Sequence, residues 1–372
     1  MNDDRATLRE VEVSTGVDGA LRGKLIRPDG PVRGGVVPLH AADDGSPDHF
    51  LSRHLTQVLP ALGIAVLCFE PRRSAEGDVP LHEQAEDALA AAEAIRRHCG
   101  PVPVGLWGFS RGGWAAPLAA ARAGEDGVAF LVLVSASGVS PATQMRYYTA
   151  ELLRRAGYDD EAVAELLELR GCYERFQRGE MDLAGVQRAV DAVADRPWFN
   201  LAYVDRRITP ADTWHDMDFD PREAFRDVRC PILLFYGEDD ENVPATESIE
   251  AWRRIALDAA GQGVSIVRLP VGTTHLPTTG PGTTLDAISP EYTRELTAWL
   301  DAQLDDIAAS AQDPWPDEDE YTEYGLEHEP APTSPVAPAD VAAVPAAPAD
   351  AADVATTDLD ALAEAIERFP DA

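Results

Sequence analysis

The sequence predicts an α/β fold: a mostly parallel sheet covered by helices on both faces, with a helical insertion in the middle of the chain. Three observations carry this. Short continuous apolar runs at 34–40, 63–69 and 128–134 read as strands buried on both faces. They alternate with stretches of helical period, as crossover-connected parallel strands require. A fourth apolar run, 102–109, breaks at Gly108-Phe109-Ser110-Arg111-Gly112 into a small-residue helix pattern, which is the Gly-x-Ser-x-Gly strand-to-helix turn that exposes a nucleophile.

Taken in order, 8–14 and 20–27 alternate apolar and polar residues and end at Pro28-Asp29-Gly30, which predicts an antiparallel hairpin. A helix is expected around 54–62, and an alanine-rich one over 81–98, closing at Gly100. After the strand at 128–134, Ser140-Pro141 supplies a capping serine and a first-turn proline. Three apolar stripes of helical spacing follow, on Met145, Tyr148 and Leu152, on Val163, Leu166 and Tyr173, and on Leu183, Val186 and Val190. No strand pattern separates them, so 141–226 is expected to be a helical cap over the catalytic edge of the sheet. Strand rhythm returns at 230–236 and 264–269, with helices over 245–260 and 289–307.

The expected organisation is therefore a core made of 1–140 and 227–308, the cap at 141–226, and a tail at 309–372. The tail is rich in Asp, Glu, Pro and Ala, a composition that cannot offset the entropy of ordering. Leu359, Leu362, Ile366 and Phe369 fall on one helical face near its end, which reads first as a transient helix in a solvated tail, with docking on a protein partner as the alternative.

The 372 residues carry a formal net charge of −34. That balance argues against nucleic acid or a membrane surface as partner, since both need clustered Lys and Arg. The four cysteines, Cys68, Cys99, Cys172 and Cys230, lack metal-site spacing and a disulfide pattern. The acidic start Met1-Asn2-Asp3-Asp4 is unlike a signal peptide, so a cytoplasmic location is expected.

A serine hydroxyl needs a histidine base and a carboxylate to orient it. Of eight histidines, His275 stands in a late loop just after a strand, where it can reach back over Ser110. The stretch 237–244, Gly-Glu-Asp-Asp-Glu-Asn-Val-Pro, offers four acids after the preceding strand. Together with 105–118, 132–141 and Asp220-Pro221 ahead of 230–233, this chain resembles the bacterial α/β-hydrolases related to dienelactone hydrolases and prolyl-oligopeptidase-type acyl hydrolases. The resemblance implies the α/β-hydrolase fold and a triad of Ser110, Asp240 and His275, with Asp239 and Glu241 turned to solvent.

The resemblance also implies an oxyanion hole made by the N–H of Arg111 and an N–H of the loop beginning at His40, for which Ala42 is the candidate. Arg72 matches an arginine expected to serve as an ion-pair partner, and Arg73 replaces the family's glycine. In the cap, Trp198 and Trp214 are the candidates for the substrate wall, ahead of Tyr147 and Tyr148. The expected activity is hydrolysis of a small-molecule acyl substrate, an ester above all, with no cofactor and no metal. An acyltransferase or cyclase with the same triad, and a binding protein on the same fold, are the alternatives.

Overall fold

The computed structural model describes residues 6–14, 20–39, 48–72, 79–124, 127–210, 214–258, 263–280 and 282–312. The expectations placed on Ala42, Arg73 and the tail beyond Gln312 lie outside them. Strands β1 (Ala6–Ser14) and β2 (Ala20–Pro28) form the expected antiparallel hairpin, in register from Ala6 opposite Pro28 to Ser14 opposite Ala20. They are followed by β3 (Gly34–Leu39), β4 (Ile64–Phe69), β5 (Val104–Phe109), β6 (Leu131–Val134), β7 (Ile232–Gly237) and β8 (Val264–Leu269). The strands join in one sheet of order β1-β2-β4-β3-β5-β6-β7-β8. β2 meets β4 antiparallel, and from β4 to β8 all pairs are parallel. The chain goes from β3 to β4 on one side and returns to β5 on the other. This reversal of winding opens a crevice at the carboxyl ends of β3 and β5.

Side chains of each strand alternate between two apolar layers. On one face Val104, Leu106, Leu131, Leu133 and Leu234 pack beneath α2 (Leu81–Cys99), α3 (Gly112–Ala123) and α8 (Ala245–Asp258). On the other, Trp107, Phe109, Val132 and Phe235 meet α1 (Phe50–Val58) and α9 (Pro290–Gln312). The buried Trp107 indole N–H donates to the Tyr292 hydroxyl at 2.9 Å, so the polar atom of each large ring is satisfied inside that layer. α1 starts at Phe50, earlier than expected, and the stretch 59–62 is a 3₁₀ turn where Pro60 removes a helix donor. α9 runs past the expected 307 because Ala308, Ala309 and Ala311 favour the helix and no stop signal intervenes.

Between β6 and β7 lie α4 (Pro141–Arg155), α5 (Asp160–Gln177), α6 (Leu183–Val193) and the short α7 (Pro221–Ala224). Ser140, Asp159 and Asp182 cap the first three, their side chains accepting the N–H of Thr143, Ala162 and Gly185. These helices share a third apolar core made of Leu153, Leu166, Leu169, Val186, Val190, Trp198 and Phe199. Trp198 is 2% exposed within it. It is therefore a core ring of the insertion, which corrects its expected place on the substrate wall. Trp214 is half-buried, and the buried Arg170 guanidinium lies over its ring, with Cζ 5.8 Å from the ring centre.

No helix of the described residues is long and apolar enough to cross a membrane. The four cysteines are free thiols, and Cys68, Cys172 and Cys230 are buried. Arg72 makes the expected ion pair, with Nη2 at 2.7 Å from Asp87 and Nη1 at 3.0 Å from Glu83.

Gly105 shows how tightly the layers meet. A Cβ there would fall 2.0 Å from the Phe130 ring. Gly105→Ala should overpack this contact and lower stability by about 1–3 kcal/mol, read as a lower urea midpoint at unchanged slope. A midpoint equal to the parent's would mean that β5 and Phe130 can separate without cost.

Candidate active site

β5 delivers Ser110 to the crevice. The residue adopts φ 52°, a left-handed conformation that an L-residue with a side chain rarely takes. Such strain persists only where the surroundings over-determine it. Here they do so through close backbone approach. A Cβ on Gly112 would lie 2.1 Å from the Leu39 carbonyl oxygen, and one on Gly108 would lie 2.4 Å from that of Gly112. The chain enters α3 immediately afterwards, with Arg111 at its N-cap, so the positive end of the helix faces the serine.

Arg111 points its side chain away along the crevice wall. Its Nη2 donates to the Val79 carbonyl at 2.8 Å and to Asp216 Oδ2 at 3.0 Å. The same Asp216 oxygen accepts the Leu81 N–H at 2.9 Å. The elbow, the start of α2 and the chain leaving the helical insertion are thereby tied together.

The His275 loop is drawn onto the ends of β6 and β7. At the end of β6, Ser135 repeats the left-handed turn with φ 48°, and its buried hydroxyl donates to the His275 carbonyl at 2.8 Å. At the end of β7, Gly237 leaves room for the loop, since a Cβ there would meet the carbonyl oxygens of Thr274 and Thr273 at 2.1 and 2.2 Å. Asp239 fastens the other side. Its N–H donates to the Thr273 carbonyl at 3.0 Å, and its Oδ2 accepts the Gly272 N–H at 2.6 Å. The imidazole of His275 then stacks on Phe109, the residue before Ser110, with centroids 6.2 Å apart and 16° between planes.

The carboxylate on that imidazole is Glu241. Its Oε1 lies 2.8 Å from His275 Nδ1. This corrects the expectation that Asp240 takes the histidine and that Glu241 points to solvent: the Glu241 side chain is only 14% exposed. The physical reason is the turn itself. Asp240 folds its side chain back on its own loop, and Oδ1 accepts the N–H groups of both Asn242 and Val243 at 2.9 Å. Its Oδ2 is buried without a hydrogen-bond partner. Glu241, one residue on and one methylene longer, reaches the ring instead.

Electrostatics separate the two acids further. Burial raises the Asp240 carboxyl above its ordinary range and outweighs the opposing pull of His275 and the Val243 N–H. Burial also works against the Glu241 charge, but there the hydrogen bond and charge of His275 prevail and hold it below its ordinary range. Burial drives the His275 imidazole down, yet the Glu241 bond and the charges of Glu241 and Asp240 outweigh it and keep the ring above the usual histidine value. With Nδ1 on Glu241, Nε2 is the nitrogen that can take a proton from a hydroxyl. Such a pair can activate a serine as a nucleophile.

Sequence reasoning foresaw the Ser110 turn and the His275 loop but missed Ser135 and turned Glu241 to solvent; the contacts of both come from loop geometry. Ala42 lies outside the described residues. Among the described residues, no group of three His, Cys, Asp or Glu stands where it could hold a metal ion.

Comparison with known proteins fits this geometry. The model of the alpha/beta hydrolase family matches residues 36–287. A search of curated proteins finds no match. Among solved structures, the chain is similar to a hyperthermophilic esterase from the archaeon Pyrobaculum calidifontis, at 19% identity and TM-score 0.50, covering 81% of this chain and 84% of that one. It is similar to a proline iminopeptidase from Mycobacterium smegmatis at 17% identity and TM-score 0.50, covering 81% of this chain and 100% of that one. A dienelactone hydrolase from Anabaena variabilis aligns at 17% identity with TM-score 0.44, over 80% and 97% of the two chains. At these identities the likeness is one of fold.

The raised imidazole makes a direct prediction. The His275 ring protons, followed by NMR, should titrate above an ordinary histidine in the parent protein. In Glu241→Gln, which keeps the shape but removes the charge, the midpoint should drop, because the group that favours the charged ring is gone. A midpoint indifferent to Glu241→Gln would dissociate the two residues.

Proposed function

The chain belongs to the alpha/beta hydrolase family, and we propose that within it the protein is a serine hydrolase cleaving a carboxylic ester through an acyl-enzyme on Ser110. The observation that carries this reading is the sequence of contacts at the crevice. A serine in left-handed conformation opens a helix, its neighbour Phe109 stacks on His275, and Glu241 holds His275 Nδ1 at 2.8 Å.

In this reading Ser110 Oγ attacks the substrate carbonyl while His275 Nε2 accepts its proton, and the imidazolium is stabilised by the ionised Glu241. The tetrahedral oxyanion is met by the N–H of Arg111 at the start of α3, where donors and helix dipole converge. A second N–H, for which Ala42 outside the described residues is the candidate, completes the proposal. His275 returns the proton to the departing alkoxide. Water, activated by the same histidine, then releases the acid and frees Ser110. Asp240 in this scheme is a turn former whose carboxyl, raised above its ordinary range by burial, sits behind the pair.

Residues 141–226 act in this proposal as a cap on a core made of 1–140 and 227–308, because α4 lies against the 239–242 loop. The substrate is a small acyl compound, and its shape is selected between α4 and the crevice, with Trp214 still a candidate for the wall and Trp198 held in the insertion's own core.

Labelling with a fluorophosphonate tests the nucleophile. The parent should be labelled at Ser110, whereas Ser110→Ala should escape labelling and lose on the order of a millionfold in ester turnover. Undiminished labelling of the alanine variant would place the nucleophile elsewhere.

A further inference from the structure

Helix α4 meets the carboxylate loop through three side chains spaced on one face. Gln144 Nε2 donates to Asn242 Oδ1 at 2.9 Å, the Tyr147 hydroxyl to the Asp240 carbonyl at 3.3 Å, and Arg155 Nη2 to the Asp239 carbonyl at 2.7 Å. The same guanidinium brings Nη1 to 3.8 Å from Glu241 Oε2. That oxygen is buried and has no hydrogen bond, while its twin Oε1 is on His275. A cation borne by the insertion thus stands on the far side of the carboxylate that serves the base.

The loop does not need Arg155 to keep its shape. Asp240 folds it internally, and Asp239 sews it to the His275 loop of the core. What Arg155 adds is charge. We propose that Arg155 is a positioning residue, delivered by α4, which shares the Glu241 carboxylate with His275 so that seating of the helical insertion sets how much negative charge the base feels. The inference rests on the reading of His275 and Glu241 as the proton-accepting pair of a serine hydrolase.

The groups around the base are few and of known sign. Glu241 and Asp240 of the β7–α8 loop hold the imidazole up, and Arg155 of α4 pulls it down. Phe109 of β5 contributes a neutral ring. Glu241 also faces the Tyr148 phenol, which burial keeps neutral. On α4 itself Glu151 is engaged by Arg154 at 2.5 Å, and Glu247 of α8 bears on Tyr147. Removing the Arg155 cation therefore leaves an excess of negative charge on the histidine and makes it harder to deprotonate. A base that stays protonated to higher pH is inactive on the acid side. The insertion, when seated, keeps His275 usable at lower pH.

The test uses the full chain with Arg155→Met, Arg155→Gln and Arg155→Lys. Gln is neutral but retains a donor for the Asp239 carbonyl, and Lys retains the charge. The His275 midpoint is read by NMR, its signal identified by loss in His275→Asn. Met and Gln should both move the midpoint to higher pH, and Lys should stay near the parent. For a small ester, the ratio of kcat/KM at about pH 5.5 to that at about pH 8.5 should fall roughly threefold in Met and Gln. This difference should shrink at high salt, because Arg155 is partly exposed. A midpoint that is unmoved or lower in both neutral variants, with rates reduced evenly across pH, would make Arg155 a mere strap between helix and loop and overturn the proposal. Failure of the serine-hydrolase reading would show separately, as absence of fluorophosphonate label on parent Ser110, while the NMR midpoint still decides the role of Arg155.

Discussion

The site depends on how closely the backbone crosses itself at the carboxyl edge of the sheet. Three adjacent parallel strands end there in crowded turns. β5 and β6 close with serines in left-handed backbone, and β7 closes with a glycine against which the His275 loop lies. At the ends of β5 and β7 an added Cβ on Gly108, Gly112 or Gly237 would meet backbone at 2.1–2.4 Å, so these two turns have little freedom to relax. Two of these turns carry hydroxyls with different uses. Ser110 faces the crevice as the nucleophile of the proposal. Ser135 is spent on the backbone of the base's own loop.

Around this edge the charge is divided unequally between neighbours in sequence. Asp240 and Glu241 are consecutive, both largely buried, and both near His275. One has its Oδ1 occupied by two backbone N–H groups and its carboxyl pushed towards the neutral form, while the other keeps its charge by bonding the imidazole. Two carboxylates facing one imidazole at full charge would repel each other and over-stabilise the protonated ring. Burial of Asp240, which disfavours its charged form, limits that. The Arg155 cation arriving from α4 acts in the same direction. Through Arg155 the helical insertion is therefore part of the electrostatics around His275.

Much of this was legible in the sequence, and the reasons are local. Alternating or continuous apolar runs specify strands because side chains on one face share one fate, so the hairpin, the parallel core and the helices between them followed from periodicity. The Ser110 turn was legible because its glycines answer a steric demand that no other residue meets. The position of His275 followed from chain order. The acid did not. Four consecutive acids, 238–241, differ only in which way a turn aims them, and that depends on which backbone N–H groups Asp240 can reach, a matter of angles that composition does not carry. The same holds for Trp198. A tryptophan in an irregular stretch near a proline reads equally well as a pocket wall or as a core ring, and only the packing of α5 and α6 around it decided for the core.

The central claim is that Glu241 supplies the charge on which His275 acts, with Asp240 shaping the turn. Its most direct test is the turnover of one small ester by Glu241→Gln and Asp240→Asn, measured side by side at neutral pH in proteins of equal thermal stability. The account predicts that Glu241→Gln loses roughly ten-thousandfold, while Asp240→Asn, which keeps an acceptor for the Asn242 and Val243 N–H groups, stays within about tenfold of the parent. Collapse of turnover in Asp240→Asn together with near-parental rates in Glu241→Gln would contradict it.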